Sequence, residues 1–198
     1  DVRSGEWARS RYVAPEVGDT TFGLFGVGDI GSLVAEFARS LGMETIGYDP
    51  YVPAADFPNG VEKIEGKSTF FDRADHVTVH TPLTSETEGA VGADELAALG
   101  PDGIVVNTAR GGIVDEAALL AALQNETIAG AGLDVRTEEP PGPDDPLLGR
   151  DDVVLTPHVA GASADALREM SLRAAANVRT VHDGGLPGTT VNAGELGR

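Results

Sequence analysis

Gly26-Val27-Gly28-Asp29-Ile30-Gly31 is a G-x-G-x-x-G run. Glycine at its first two positions permits a tight turn and lets backbone amides approach a pyrophosphate, while the third lets a helix pack close to a strand. A phosphate held there would sit at a helix N-terminus, where free N–H groups and the dipole favour an anion. Glycine-rich turns that bind nothing share the six-residue pattern, so its context has to decide. An apolar strand precedes it, helical periodicity follows it, and Asp49 ends the next strand, 23 residues after Gly26. Together these predict a dinucleotide site using Gly26, Gly28, Asp29, Ile30, Gly31 and Asp49. The Asp49 carboxylate would accept hydrogen bonds from ribose hydroxyls and repel a 2′-phosphate. No Lys or Arg occurs between Pro50 and Glu62, so NAD rather than NADP is expected.

Three later strand ends carry further chemistry. Arg110 follows the buried run Val105-Val106-Asn107, Glu139 follows Leu133-Asp134-Val135, and His158 follows Val153-Val154-Leu155. Ligands of open α/β sheets bind outside the carboxyl ends of strands, and Gly111-Gly112 beside the arginine would let a ligand or another backbone approach. A guanidinium, a carboxylate and an imidazole near a redox cofactor form an acid/base and carboxylate-binding set. Each residue has a plainer reading: Arg110 a surface ion pair, His158 a cap or core histidine, Asp134 a strand-end turn.

These residues need a scaffold that presents strand ends together. Short apolar strands alternate with helical periodicity, which predicts an α/β fold of the Rossmann type, a doubly wound parallel sheet with helices on both faces. Strands are expected at 21–25, 45–48, 76–80, 103–107, 128–135 and 153–156. Between them, Ile30, Leu33, Val34, Phe37, Ala38 and Leu41 mark one helix face, and Gly42 closes that helix. Residues 50–60 read as a loop. Short helices are expected at 93–99 and from a cap at Asp115 through Leu123. From Ser163, a long amphipathic helix places Ala166, Leu167, Met170, Ala174, Val178 and Val181 on one side.

Composition narrows the partners. With 14 basic and 32 acidic residues the formal net charge is −18, which repels nucleic-acid phosphates and anionic membranes, so neither is expected as a partner. The acidic residues are scattered, as in proteins solvated in concentrated salt; an acidic docking face is the alternative. The absence of cysteine removes disulfides and thiolate chemistry and suits a reducing cytoplasm. No apolar run reaches the roughly 20 residues of a membrane span, and the N-terminus lacks the order of a signal peptide.

Taken in order, several segments resemble the D-isomer-specific 2-hydroxyacid dehydrogenases, including D-3-phosphoglycerate dehydrogenases and glyoxylate/hydroxypyruvate reductases. They are the glycine loop, Tyr48-Asp49-Pro50-Tyr51, His80-Thr81-Pro82-Leu83-Thr84-Ser85-Glu86-Thr87, Asn107 to Gly112, Leu133-Asp134-Val135 with Glu138-Glu139-Pro140, and Thr156-Pro157-His158. The resemblance implies a catalytic set of Arg110, Glu139 and His158. Arg110 would bind the substrate carboxylate and keto oxygen, His158 would act as general acid/base, and Glu139 would orient it and favour its protonated form. It further implies that Thr81, Pro82, Thr108 and Ala109 line the cofactor cleft, that Asp134 holds the nicotinamide carboxamide, and that Glu138 faces solvent. A homodimer built through the cofactor domain and a small 2-keto or 2-hydroxy acid substrate are also implied; no metal is.

On the same resemblance, residues 1–17 are expected to end a hinge from a substrate domain, 18–162 to form the NAD-binding domain, and 163–198 to return toward a substrate domain largely absent from this chain. Arg136 departs from the family pattern, which carries an apolar or aromatic side chain there. Formate dehydrogenases share the scaffold but carry glutamine at the position of Glu139. A methyltransferase would not require Arg110, Glu139 and His158. An NAD-sensing binding protein, like the family's corepressors, is the competing function.

Overall fold

A computed structural model describes residues 4, 5, 7, 13 and 15–194. Most of the expected hinge at residues 1–17 therefore lies outside the described residues. Two compact units divide the chain, one ending at Pro157 and the other beginning at His158.

The first unit contains a seven-stranded parallel sheet. Its strands are β1 (Thr21–Phe25), β2 (Glu44–Tyr48), β3 (Glu62–Lys63), β4 (His76–Val79), β5 (Ile104–Asn107), β6 (Gly130–Leu133) and β7 (Val153–Leu155). Their order is β3-β2-β1-β4-β5-β6-β7. The chain thus builds outward from β1 in one direction, then crosses back to lay β4 on β1's other edge, which makes the β1/β4 boundary the switch point where such sheets open a crevice. The helices are α1 (Asp29–Ser40), α2 (Lys67–Arg73), α3 (Ala93–Leu99) and α4 (Glu116–Gln124). Asp115 caps α4, accepting from the amides of Ala117 and Ala118 at 2.9 and 3.1 Å.

Aromatic rings fill the core between β1, β2 and α2. Phe70 meets Phe71 edge-on at 5.1 Å between centroids, and Phe25 stacks on Tyr48 at 5.6 Å. Phe70 and Phe71 are fully buried, each removing enough apolar surface to stabilise the fold by roughly 1.5–3 kcal/mol. Sequence periodicity did not single out α2 or β3: seven and two residues are too short for a period to show.

Of the six apolar residues expected along one face of α1, Ala38 is buried and Val34 packs against the core. Helix α1 packs on β1 and β2 through Gly31, Ala35 and Ala38, all buried. Ile30, Leu33, Phe37 and Leu41 form an apolar row 56 to 69% exposed. The 3.6-residue period finds a face, but the small residues permit the closer approach and take the sheet.

The second unit contains α5 (Ala164–His182), capped by Ser163, whose Oγ accepts from the Ala166 amide at 3.1 Å. Its Leu167, Met170, Val178 and Val181 are exposed. Among the described residues no helix is long and apolar enough to cross a membrane.

Candidate functional site

At the switch point the Gly26 amide donates to the Tyr48 carbonyl at 2.9 Å, and the His80 amide donates to the Phe25 carbonyl at 2.8 Å. These bonds lock the ends of β2 and β4 onto the end of β1. Gly26 takes φ +100°, and a Cβ there would lie 2.8 Å from the His80 carbonyl carbon. A Cβ at Gly31 would collide with the Gly26 carbonyl oxygen, so the third glycine holds α1 against the turn. Gly28 faces open space as the N-cap of α1, and Gly28, Asp29 and Ile30 are exposed. The first amides of the helix therefore open onto the crevice.

Asp49 is tied into this turn. Its Oδ2 accepts from the Val27 amide at 3.1 Å, and its Oδ1 accepts from the amides of Tyr51 and Val52 at 3.0 and 3.3 Å. Sequence reasoning gave Asp49 a ribose-binding role; the structure adds that it joins the loop after β2 to the glycine turn. Two carboxylate oxygens offer about four lone-pair sites, so capacity for ribose hydroxyls persists.

A cleft of about 700 Å³ follows, bounded by Gly28, Tyr48, Asp49, Thr81 and Pro82 among others. Tyr51 closes one side by donating its hydroxyl to Glu86, and that hydrogen bond, with the nearby negative charge, raises the phenol's pKa above its ordinary value. Lys67 also lines the cleft, a cation that the reading of residues 50–62 did not reach. It is committed elsewhere: Nζ lies 2.7 Å from Glu95 and donates to the Ala90 carbonyl at 3.0 Å. Burial pushes the Glu95 carboxyl up, but Lys67 and the Gly92 amide outweigh it and hold it below the ordinary range.

A second cleft of about 510 Å³ shares His80, Thr81 and Pro82 with the first and adds Ile30, Thr108, Ala109 and Arg110. The sequence-selected residues of β1, β4 and β5 thus line one trough along the carboxyl ends of these strands. His80 forms part of its wall; burial lowers its pKa, and Nε2 lies 3.1 Å from the Thr78 hydroxyl.

Arg110 is exposed, and its Nη1 donates to the Ala109 carbonyl at 2.5 Å. Its loop is shaped by Asn107, a residue in the quoted motif to which no role had been given. Buried Asn107 donates to the Arg110 carbonyl at 2.9 Å and accepts from the Ala109 amide at 3.0 Å. Gly111 then presses against the next loop, where a Cβ would run into the Arg136 carbonyl oxygen.

Asp134 is buried at the end of β6, where Oδ1 accepts from the Thr156 hydroxyl at 2.5 Å and the amide donates to the Asn107 carbonyl at 3.0 Å. Glu139 and Glu138 are exposed, and Glu139 Oε1 accepts from the Arg136 amide at 2.9 Å. Arg136 itself is buried, its guanidinium paired with Glu116 and Asp145 at 2.8 and 2.6 Å. Burial pushes the Glu116 carboxyl up, but the hydrogen bonds from Arg136 and the Thr137 amide hold it below its usual range.

Arg110 and Glu139 therefore sit on loops that touch at Gly111 and Arg136. His158 is the first residue of the second unit, three residues past the end of β7, exposed and with a left-handed φ of +54°.

Comparison with known proteins gives these observations a setting. Residues 1–160 match the family model described as D-isomer specific 2-hydroxyacid dehydrogenase, NAD binding domain. The chain is 39% identical to D-3-phosphoglycerate dehydrogenase of Methanocaldococcus jannaschii, over 96% of this chain and 36% of that protein. It is 40% identical to (S)-sulfolactate dehydrogenase of Chromohalobacter salexigens, over 90% of this chain and 58% of that protein. Among solved structures, it resembles the NAD complexed form of a D-isomer specific 2-hydroxyacid dehydrogenase from Lactobacillus delbrueckii ssp. bulgaricus. That likeness has a TM-score of 0.84 at 34% identity and covers 94% of this chain and 60% of the other. A Xanthobacter autotrophicus Py2 enzyme of the same description, in complex with NADPH and MES, gives 0.80 at 33%, over 96% and 77%. The chain spans between about a third and three-fifths of the length of these two curated relatives. With its parallel sheet, glycine turn and ordered strand-end residues, the chain belongs to the D-isomer specific 2-hydroxyacid dehydrogenase family and spans that family's NAD-binding domain.

Proposed function

We propose that this chain is the cofactor-binding part of an oxidoreductase that interconverts a 2-keto acid and a D-2-hydroxy acid with NAD. The observation that carries the reading is the trough itself. Gly28, Ile30, Asp49, Thr81, Pro82, Thr108, Ala109 and Arg110 line it at the β1/β4 boundary, where the strand order reverses. In this reading the amides at the start of α1 hold the pyrophosphate, Asp49 accepts from the adenosine ribose, and Asp134 fixes the carboxamide. Bound NADH supplies the hydride. Arg110 binds the carboxylate and stabilises charge on the keto oxygen. His158 gives a proton to that oxygen and, in reverse, takes it back, while Glu139 orients the imidazole.

The substrate class follows the relatives: a small 2-keto acid such as 3-phosphohydroxypyruvate, hydroxypyruvate or glyoxylate. Residues 18–162 form the cofactor domain in this proposal, and 163–198 lead back toward a substrate domain. The acidic surface is an adaptation to concentrated salt, the setting is cytoplasmic, and the working form is a homodimer. The exposed row Ile30, Leu33, Phe37 and Leu41 supports self-association.

The test is NADH consumption by the complete protein against those three keto acids, with NADPH in parallel. Turnover of at least one, with NADH preferred, is expected. NADH binding without turnover of any would favour an NAD-sensing protein on the same scaffold, and equal efficiency with NADPH would remove the role given to Asp49.

A further inference from the structure

Arg136 has no part in the roles above, yet it is one of the most enclosed charges in the first unit. Its side chain is 6% exposed. Nε donates to Glu116 Oε1 at 3.2 Å, and Nη2 donates to Glu116 Oε2 at 2.8 Å and to Asp145 Oδ2 at 2.6 Å. Burying a guanidinium is costly, and Nη1 is buried with no partner among the described residues; the cost is offset only where the geometry of the remaining bonds is good and the partners are themselves held. Both partners are held. Glu116 is the first residue of α4 and its Oε1 also accepts from the Thr137 amide at 2.7 Å; Asp145 Oδ1 accepts from the Leu147 amide at 2.9 Å.

The backbone of the same residue touches both loops of the candidate site. Its amide donates to Glu139 Oε1 at 2.9 Å, and its carbonyl occupies the space that a Cβ at Gly111, next to Arg110, would need. Glu116 lies six residues beyond Arg110 on the same chain segment. The guanidinium therefore ties the Glu139 loop to the far end of the Arg110 loop, while the peptide at its root sets how closely the two loops approach. A binding role for this arginine fits poorly. The adjoining cavity is lined by Glu116, Glu138, Asp144 and Asp145, which repel the anions a guanidinium would recruit.

We propose that Arg136 is a positioning residue that fixes the spacing between Arg110 and Glu139; the proposal rests on the dehydrogenase reading for its kinetic consequences. The fork matters as well as the charge, because only a planar guanidinium spans both Glu116 oxygens and Asp145 together. A displacement of about 1 Å in groups that orient a substrate costs on the order of a hundredfold in rate.

The test compares Arg136→Met, which keeps the stem but not the fork, with Arg136→Lys and with a triple variant that adds Glu116→Gln and Asp145→Asn. In the complete protein, Arg136→Met is expected to raise KM for the keto acid about tenfold or more and to move the pH–rate profile, with KM for NADH within about twofold. Arg136→Lys should recover part of this. The triple variant leaves no half-buried carboxylate unpaired and should regain thermal stability without regaining the kinetics. In the 198-residue chain, amide exchange at Ala109, Arg136 and Thr137, whose amides donate to Asn107, Glu139 and Glu116, should accelerate in Arg136→Met, with Leu24 and Val77 unchanged. Wild-type values for keto-acid KM and the pH profile overturn the proposal, as does unchanged exchange at Ala109 or a triple variant with restored kinetics. Wild-type protein that reduces no keto acid overturns the dehydrogenase reading instead, and the exchange measurement still decides whether Arg136 sets the loops.

Discussion

Asp49 Oδ2 accepts from the backbone amide of Val27 at 3.1 Å, so a carboxylate at the end of β2 holds the middle of the glycine turn that follows β1. One side chain thus fixes the geometry of the glycine turn and, in the proposed function, would also accept from the ribose.

Replacing Asp49 with Ala is expected to do two things. Losing an acceptor for three backbone amides should destabilise the chain by about 1–3 kcal/mol, read by urea unfolding. The ratio of kcat/KM for NADH over NADPH should fall about tenfold or more, since the repulsion of a 2′-phosphate goes with it. A variant that keeps the NADH preference would remove Asp49 from cofactor choice.

At Gly31 the added methyl of alanine meets a backbone oxygen, which cannot rotate away. Gly31→Ala should cost about 1–3 kcal/mol of stability and displace the start of α1, weakening NADH binding. Calorimetric titration with NADH checks this; unchanged affinity would show that the turn tolerates the shift.

Substitution of His158 by Ala should lower turnover by about 10²–10⁴-fold while NADH binding persists, as for removal of a general acid/base. Glu139→Gln should retain more activity than His158→Ala, because an amide oxygen can still orient the imidazole. A His158→Ala enzyme with wild-type kcat excludes the proposed proton transfer.

His80 gives a pH dependence of stability with a definite sign. Burial lowers its folded-state pKa from the ordinary 6.5, so between the two values the unfolded chain binds a proton that the folded chain does not. Stability from this group is therefore full above about pH 6.5 and is lost as pH falls toward the lowered folded value. Denaturant midpoints at pH 5.5 and 7.5 should differ in that direction, and His80→Gln should reduce the difference.

The salt reading makes the opposite demand from ordinary surface ion pairing. With a net charge of −18, added KCl should raise the midpoint of thermal unfolding by screening self-repulsion. A chain most stable in dilute buffer would count against it.

The parallel sheet and the strand-end residues were legible because each depends on local sequence: a glycine turn, an acid at a fixed offset, an arginine directly past a buried strand. Which side of α1 meets the sheet was not legible from the apolar period, because it depends on how closely Gly31, Ala35 and Ala38 let the helix come. Arg136 and Glu116 are 20 residues apart, and Lys67 reaches the cleft from a seven-residue helix. Pairings of that kind leave no period or motif to read. His158 lies between these cases: its place after β7 follows from the chain, whereas its left-handed backbone does not.

The apolar row on α1 belongs to a strongly anionic chain, and the two properties act on each other. In the proposed homodimer, two copies meeting through Ile30, Leu33, Phe37 and Leu41 would bring like charges together, and this repulsion reaches about 30 Å at 0.01 M salt but only about 3 Å at 1 M. Apolar contact loses nothing over the same range. Ionic strength should therefore act on the monomer–dimer balance as protein concentration does, with dimers accumulating as salt is raised and Phe37→Glu abolishing the response, a coupling that sedimentation at two salt concentrations would reveal.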